Sequence, residues 1–276
     1  MSSHPIGVFD SGIGGMTVVK EIFTTVPRES IVYFGDTARW PYGAKSVDTI
    51  QRYAREDTEL LLAYDVKMIV VACNTVSATA IGEVERLAGN IPVIGMIGPC
   101  AKAAVSSTKN GKIGIIGTEA TIASKAYERA IEVEAKLAGI SCKIMSQACP
   151  LFVPLAEEGW TRHLATELVA EEYLNELRMN EVDTLILGCT HYPVLFDVIQ
   201  RTMGSKVTLI NSGAEAAKLV ADILNENGEF SDRSPSHTVL VSDIPRKFQT
   251  VGERLLGQAM PEARQVIWKE SWTVQR

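Results

Sequence analysis

Two short apolar runs end on cysteine, and their flanks look like copies of one another. The first reads Lys67-Met68-Ile69-Val70-Val71-Ala72-Cys73-Asn74-Thr75 and the second Asp183-Thr184-Leu185-Ile186-Leu187-Gly188-Cys189-Thr190-His191. Runs this short, rich in Val, Ile and Leu and closed by a polar turn, are the pattern of parallel strands covered on both faces. In open α/β sheets, ligands bind beyond the carboxyl ends of such strands. One thiol there reads as a nucleophile or base. Two, in matching surroundings, read as paired groups acting on one substrate.

The rest of the chain alternates strand, turn and helix. Strands are expected at Ile6–Phe9, Ile31–Phe34, Met68–Ala72 and Val93–Ile97, with helices to about Phe23, over Asp48–Tyr64 and from about Ser77. A second round repeats the order: strands at Lys112–Ile116, Ser141–Met145, Thr184–Leu187 and Val207–Ile210, with helices to about Ala138, over Thr161–Met179 and after Pro193. Such alternation gives a parallel sheet per half. Any α/β chain looks similar at this level, but here the cysteines match as well. The expected fold is two pseudosymmetric parallel-sheet α/β domains with the active site in the cleft between them. Beyond the repeat, Asn211–Leu224 reads as a helix, and Thr238–Val241, Pro245–Leu256 and Arg264–Trp272 as strand, helix and strand packing back on the first half. The domains expected are therefore 1–97 plus 211–276, and 98–210.

Composition narrows the function classes. The 276 residues are 46% hydrophobic, enough for a sizeable core. Net charge is −6 with no cluster of Lys and Arg, which argues against nucleic acid as a partner. An anionic substrate stays possible, because helix amino termini bind anions without net positive charge. No apolar run spans a bilayer, and Met1-Ser2-Ser3-His4-Pro5 lacks the basic and apolar regions of a signal peptide, so no membrane partner is expected. Five cysteines without CxxC spacing fit neither a disulfide framework nor a zinc site, so no metal is expected and the reducing cytosol is the expected setting.

Asp10-Ser11-Gly12-Ile13-Gly14-Gly15 is a strand-to-helix turn, with Thr17 standing where a dinucleotide fingerprint has its third glycine. The glycines permit a tight turn and Ser11 is a candidate helix cap, but Asp10 at a strand's carboxyl end points a carboxylate at the expected cleft. Asn74, Thr75, Thr118, Thr121 and Thr190 follow strand ends; each is a plausible N-cap, and together with backbone N–H groups they form carboxylate sites. Cys100, Cys142 and Cys149 lack the strand-end setting and read as small buried hydrophobes. His4, His163 and His237 show no partner, whereas His191 lies two residues after Cys189 and is placed to polarise it. Glu157 reads equally as a solvated carboxylate.

Taken together, Asp10-Ser11-Gly12-Ile13-Gly14-Gly15, Gly35-Asp36-Thr37-Ala38-Arg39 with Pro41-Tyr42-Gly43, Ala72-Cys73-Asn74-Thr75 and Leu187-Gly188-Cys189-Thr190-His191-Tyr192-Pro193 resemble the glutamate racemase family, within the cofactor-independent aspartate/glutamate racemase superfamily. The likeness runs from Ile6 to about Leu256. It implies interconversion of L- and D-glutamate, without a cofactor, to supply D-glutamate for peptidoglycan, by a protein that forms a homodimer. By motif match it implies Cys73 and Cys189 as the acid/base pair, with Asp10, Glu157 and His191 assisting. Ser11, Pro41, Tyr42, Gly43, Asn74, Thr75, Thr118, Thr121 and Thr190 are implied to hold the substrate. Four positions depart from the usual pattern: Trp40, Val76, and Gly98 with Cys100 in Ile97-Gly98-Pro99-Cys100, where Val/Ile-Glu-Pro-Gly is common. Trp40 is placed to alter the pocket mouth or a subunit contact, Gly98 and Cys100 a hinge.

Racemisation needs one group to remove the α-proton from one face and another to return a proton on the opposite face, in either direction. Two identical residues from matching halves meet that demand. A free thiol titrates near 8.5, so only about 3% is thiolate at pH 7, and lowering that by roughly 1.5 units is worth about 2 kcal/mol. No lysine of pyridoxal type is identifiable, so the carbanion must be stabilised by hydrogen bonds to the carboxylate and by exclusion of water. The expected pairing is Asp10 with Cys73 and His191 with Cys189. The competing readings are a racemase of another amino acid such as aspartate, and a non-catalytic protein that closes on small acids.

Overall fold

The computed structural model describes residues 2–244, 248–268 and 272–274. Its first round of elements is β1 (Ile6–Asp10), α1 (Met16–Thr25), β2 (Ile31–Gly35), α2 (Val47–Leu62), β3 (Met68–Val71), α3 (Asn74–Thr79), α4 (Ile81–Ala88) and β4 (Val93–Ile94). After α5 (Ile97–Ser107) the second round runs β5 (Lys112–Gly117), α6 (Glu119–Ser124), α7 (Ala126–Ala138), β6 (Lys143–Ala148), α8 (Phe152–Glu157), α9 (Leu164–Met179), β7 (Thr184–Gly188), α10 (Phe196–Met203) and β8 (Thr208–Asn211). The tail contributes α11 (Ser212–Asn227), β9 (His237–Val241), α12 (Phe248–Leu256), β10 (Ala263–Trp268) and β11 (Trp272–Val274).

These strands form two sheets, β11-β10-β9-β2-β1-β3-β4 and β6-β5-β7-β8. Within the first, β2-β1-β3-β4 has the same order as the whole of the second, and every pairing in both sets is parallel. The repeat seen in the sequence is thus a repeat of topology. In each set the chain leaves the first strand to one side and returns on the other, so a crevice opens at the carboxyl ends of β1 and β3, and again at those of β5 and β7. Asp10 and Cys73 stand at the first crevice, Thr118 and Cys189 at the second.

Alternation along the strands fills both faces. Met68, Val70 and Ala72 join the core beneath α1 and α11, while Ile69, Val71 and Cys73 join that beneath α2 and α4. In the second sheet, Ile113, Ile115 and Ile186 face one core and Ile116, Leu185, Leu187 and Cys189 the other. Full burial of each such side chain contributes about 1.5–3 kcal/mol, which anchors the strands whose ends carry the thiols.

Several elements differ from the sequence reading. The helix after Cys73 begins at once, at Asn74, with Cys73 itself as the capping residue, and breaks at Ala80 (φ −141°). The strand expected to reach Ile97 stops at Ile94, and Ile97 opens α5. Pro99 is tolerated there because the first turn of a helix has no intrahelical partner for its missing N–H. The helix to Ala138 is two helices, divided at Lys125 (φ 54°). β6 extends to Ala148, and α8 was not foreseen. The tail strands β9 and β10 join the first sheet beside β2, with β11 antiparallel at its edge. Pro245 to Lys247 and Lys269 to Ser271, parts of the expected tail helix and strand, lie outside the described residues.

Candidate active site

The two crevices open on one cavity of about 230 Å³. Its wall includes Cys73 and Cys189 together with Asp10, Ser11, Pro41, Tyr42, Gly43, Asn74, Thr75, Thr118, Thr190 and His191. Thr121 and Glu157, also singled out from the sequence, stand behind that wall. Thr121 meets the hydroxyls of Thr118 (2.9 Å) and Thr75 (3.5 Å), and Glu157 meets His191. Trp40, Ala44, Glu119, Pro150, Val153 and Pro154 complete the lining. Of these only Trp40 was flagged in the sequence, as a departure at the pocket mouth. It packs on Gly12, where an added Cβ would lie 2.8 Å from the indole.

The two sides of the cavity are locked together by side chains from both sheets. Thr17, at the position of the missing glycine, donates its hydroxyl to the Thr190 carbonyl at 2.8 Å. The hydroxyls of Thr75 and Thr118 meet at 3.0 Å. Gly14 approaches so closely that a Cβ there would lie 2.3 Å from Thr190 Oγ1 and 2.4 Å from His191 Cε1. The turn 10–15 therefore needs glycine to let the second half approach.

Capping differs from expectation. Ser11 does not cap α1, whose N-cap is Gly15 without a side-chain bond. Instead Asp10 Oδ2 accepts the N–H groups of Gly12 and Gly15, each at 3.1 Å. Among the polar residues named as caps, Thr118 accepts the Thr121 N–H, while Cys73 and His191 take the positions expected of Asn74 and Thr190. The loop carrying Pro41, Tyr42 and Gly43 is pinned from below. Arg39 pairs with Asp36, Glu56 and Asp57, and the Tyr42 hydroxyl donates to Asp36 and Asp57.

The two thiols have unlike surroundings. Burial pushes the Cys73 thiol up to about 12, and the charge of Asp10 adds to this; N–H groups of Val76 and Ser11 and the Ser11 hydroxyl pull the other way. Burial also raises Asp10, opposed by His191 and by the N–H groups it accepts. Across the cavity, His191 Nδ1 lies 3.9 Å from Cys189 Sγ and Nε2 lies 3.0 Å from Glu157 Oε1. Burial alone would depress the imidazole, but hydrogen bonds and charge from Cys189 and Glu157 outweigh it and raise His191 to about 10. A helix amino terminus thus follows Cys73 only; after Cys189 comes a short 3-10 turn, Tyr192–Leu195, and a cationic imidazole takes the helix's place.

The other thiols and histidines stand outside the cavity lining. Cys100 and Cys149 are buried as expected, but Cys142, near the exposed start of β6, is only partly so. His163 accepts the Ala165 N–H through Nδ1 at 3.1 Å and caps α9, a partner the sequence did not reveal. His237 packs on Phe23. Among the described residues, no helix is long and apolar enough to cross a membrane.

Against known proteins, the Asp/Glu/Hydantoin racemase family model matches residues 6–220. The chain is 50% identical over 268 residues to the glutamate racemase of Chlorobaculum tepidum, covering 96% of this chain and 97% of that one. It is 48% identical over 264 residues to the glutamate racemase of Geobacter metallireducens, covering 95% and 96%. The crystal structure of glutamate racemase from Francisella tularensis in complex with D-glutamate superposes with a TM-score of 0.90 at 40% identity, covering 96% of this chain and 98% of that one. Two sheets of like order, a thiol at the matching strand end of each, and likeness along nearly the whole length place this chain in the Asp/Glu/hydantoin racemase family.

Proposed function

We propose that this protein is a glutamate racemase that interconverts L- and D-glutamate by a two-base mechanism through Cys73 and Cys189, supplying D-glutamate for peptidoglycan synthesis. The observation that carries it is the placement of both thiols on one cavity, at the ends of the topologically equivalent strands β3 and β7. Near full-length identity to proteins named glutamate racemase supports glutamate over aspartate as substrate.

In this reading one sulfur, as thiolate, takes the α-proton while the other, as thiol, delivers a proton to the opposite face. The product leaves with the two sulfurs' protonation states exchanged. Cys73 holds its proton firmly at rest, the state a donor requires. His191, cationic and backed by Glu157, offers a positive charge beside Cys189 when that sulfur is anionic. Asp10 sits across from His191 and is the candidate proton-positioning group on the Cys73 side. The α-carboxylate, on which the carbanion's charge spreads, is met by donors from Ser11, Asn74, Thr75, Thr118, Thr190 and the Pro41-Tyr42-Gly43 loop, with Thr121 supporting Thr118.

The same proposal includes domains of 1–97 plus 211–276 and of 98–210, association of two copies, and a cytoplasmic setting. Chiral analysis of L-glutamate incubated with the purified chain, without added metal or pyridoxal phosphate, tests it. D-glutamate should appear, carrying deuterium at the α-carbon when the solvent is heavy water. Turnover of aspartate in its place would reassign the substrate, and turnover of neither would end the proposal.

A further inference from the structure

Asn74 follows Cys73 and lines the cavity, yet its carboxamide is gripped from two other elements. The Tyr127 hydroxyl, on α7, donates to Asn74 Oδ1 at 2.6 Å. Asn74 Nδ2 donates to Oγ of Ser212, the first residue of α11, at 3.3 Å. All three side chains are buried. The Tyr127 ring shares a buried core with Cys100, on α5, and packs against the backbone at Gly188, beside Cys189.

Counting protons fixes the direction of this chain. Burial keeps the Tyr127 phenol protonated and pushes the Cys100 thiol up to about 12, so both are neutral near pH 7. Tyr127 owns one hydrogen, and its bond to Asn74 uses it. The amide oxygen of Asn74 is committed to Tyr127, and its nitrogen keeps one N–H after serving Ser212.

We propose that Tyr127 is a positioning residue that locks the Asn74 carboxamide so that its amide nitrogen, and not its oxygen, is presented to a substrate carboxylate. The inference rests on the glutamate reading above. A flipped amide would turn an acceptor toward the carboxylate and leave the Tyr127 hydroxyl facing an NH2 group, so holding one orientation removes a repulsive alternative.

Titrating D-glutamate calorimetrically into the full-length chain, alongside steady-state kinetics, tests this. Tyr127→Phe should weaken Kd, and raise KM for both enantiomers, by about tenfold while kcat stays within about threefold. In an Asn74→Ala background the same substitution should weaken Kd no further, because the group it positions is gone. Unchanged affinity in folded Tyr127→Phe, or the full loss persisting without Asn74, overturns the inference. If Tyr127→Phe does not fold, Ser212→Ala takes its place as the other grip on the amide, and an unchanged KM there overturns it equally. A parent chain that neither binds nor racemises glutamate overturns the substrate reading, an outcome distinct from a parent that binds normally beside an unaltered variant.

Discussion

His191 Nε2 lies 3.0 Å from Glu157 Oε1, so the carboxylate at the end of α8 joins Cys189 in raising the imidazole that faces that thiol. Sequence spacing links His191 to Cys189, but Glu157 is 34 positions away and reaches it only in the fold. Removing the negative charge while keeping the shape isolates this relationship. Glu157→Gln should bring the His191 titration down from about 10, with the larger contribution of Cys189 left in place, as followed by NMR of the ring protons. Turnover should fall by about tenfold with KM little changed, since the group lies behind the cavity wall.

The raised imidazole also makes stability depend on pH. A group whose folded-state value lies above its unfolded one stabilises most where both states are protonated, and the gain fades as the folded form gives up its proton. For His191 the contribution is complete below about 6.5 and is lost as pH climbs to about 10. Urea midpoints measured between pH 6 and pH 10 should therefore decline, and His191→Asn should flatten the decline. An equal slope in the variant would assign the alkaline loss elsewhere, for instance to the buried thiol of Cys73, which shifts in the same sense.

Replacing either cavity thiol should stop racemisation without unfolding the chain. Cys73→Ala and Cys189→Ala each remove a small buried side chain, so folding should survive, while turnover in each drops by several orders of magnitude. Circular dichroism and chiral detection on the same samples check both halves of the expectation. Alkylation should have the same effect as substitution, and bound glutamate should protect both sulfurs.

Gly14→Ala is the sharpest steric test. Its Cβ would lie 2.3 Å from Thr190 Oγ1 and 2.6 Å from His191 Nδ1, and His191 is held by Glu157 at its other end. The variant should lose about 1–3 kcal/mol in a urea titration and lose activity more than stability alone explains. Gly82, with nothing within 4 Å of an added Cβ, is the matched control, and its alanine variant should turn over normally.

Most of the site was legible because its residues sit at strand ends, where hydrophobic runs stop abruptly. Asp10, Cys73, Thr118 and Cys189 are each found at the end of an apolar run, and the fold needs no more than parallel pairing to gather them. What escaped lies where local signals mislead. Gly98-Pro99 reads as a break, yet α5 starts there because a proline in the first turn sacrifices no hydrogen bond. Ser146 and Gln147 look like a loop, yet they continue β6, an edge strand with half-solvated side chains. Pro150, Val153 and Pro154 line the cavity from a segment with no strand signal at all. The grips of Tyr127 on Asn74 and of Thr17 on Thr190 join residues 53 and 173 positions apart, distances over which no periodicity speaks.

The pairing of β9 with β2 has a bearing on how the molecule is made. Ser30 and Ser236, which flank that seam, are 206 residues apart, whereas the strands β5 to β8 all fall between Lys112 and Asn211. During synthesis the four-stranded sheet can zip up as a contiguous piece while the exit tunnel still holds the tail. Until β9 emerges, the outer edge of β2 offers its unsatisfied amides to any passing strand. The growing polypeptide therefore carries an open strand border from the time β2 is made until β9 follows some 206 residues later, and a chaperone guarding it would have to wait that long.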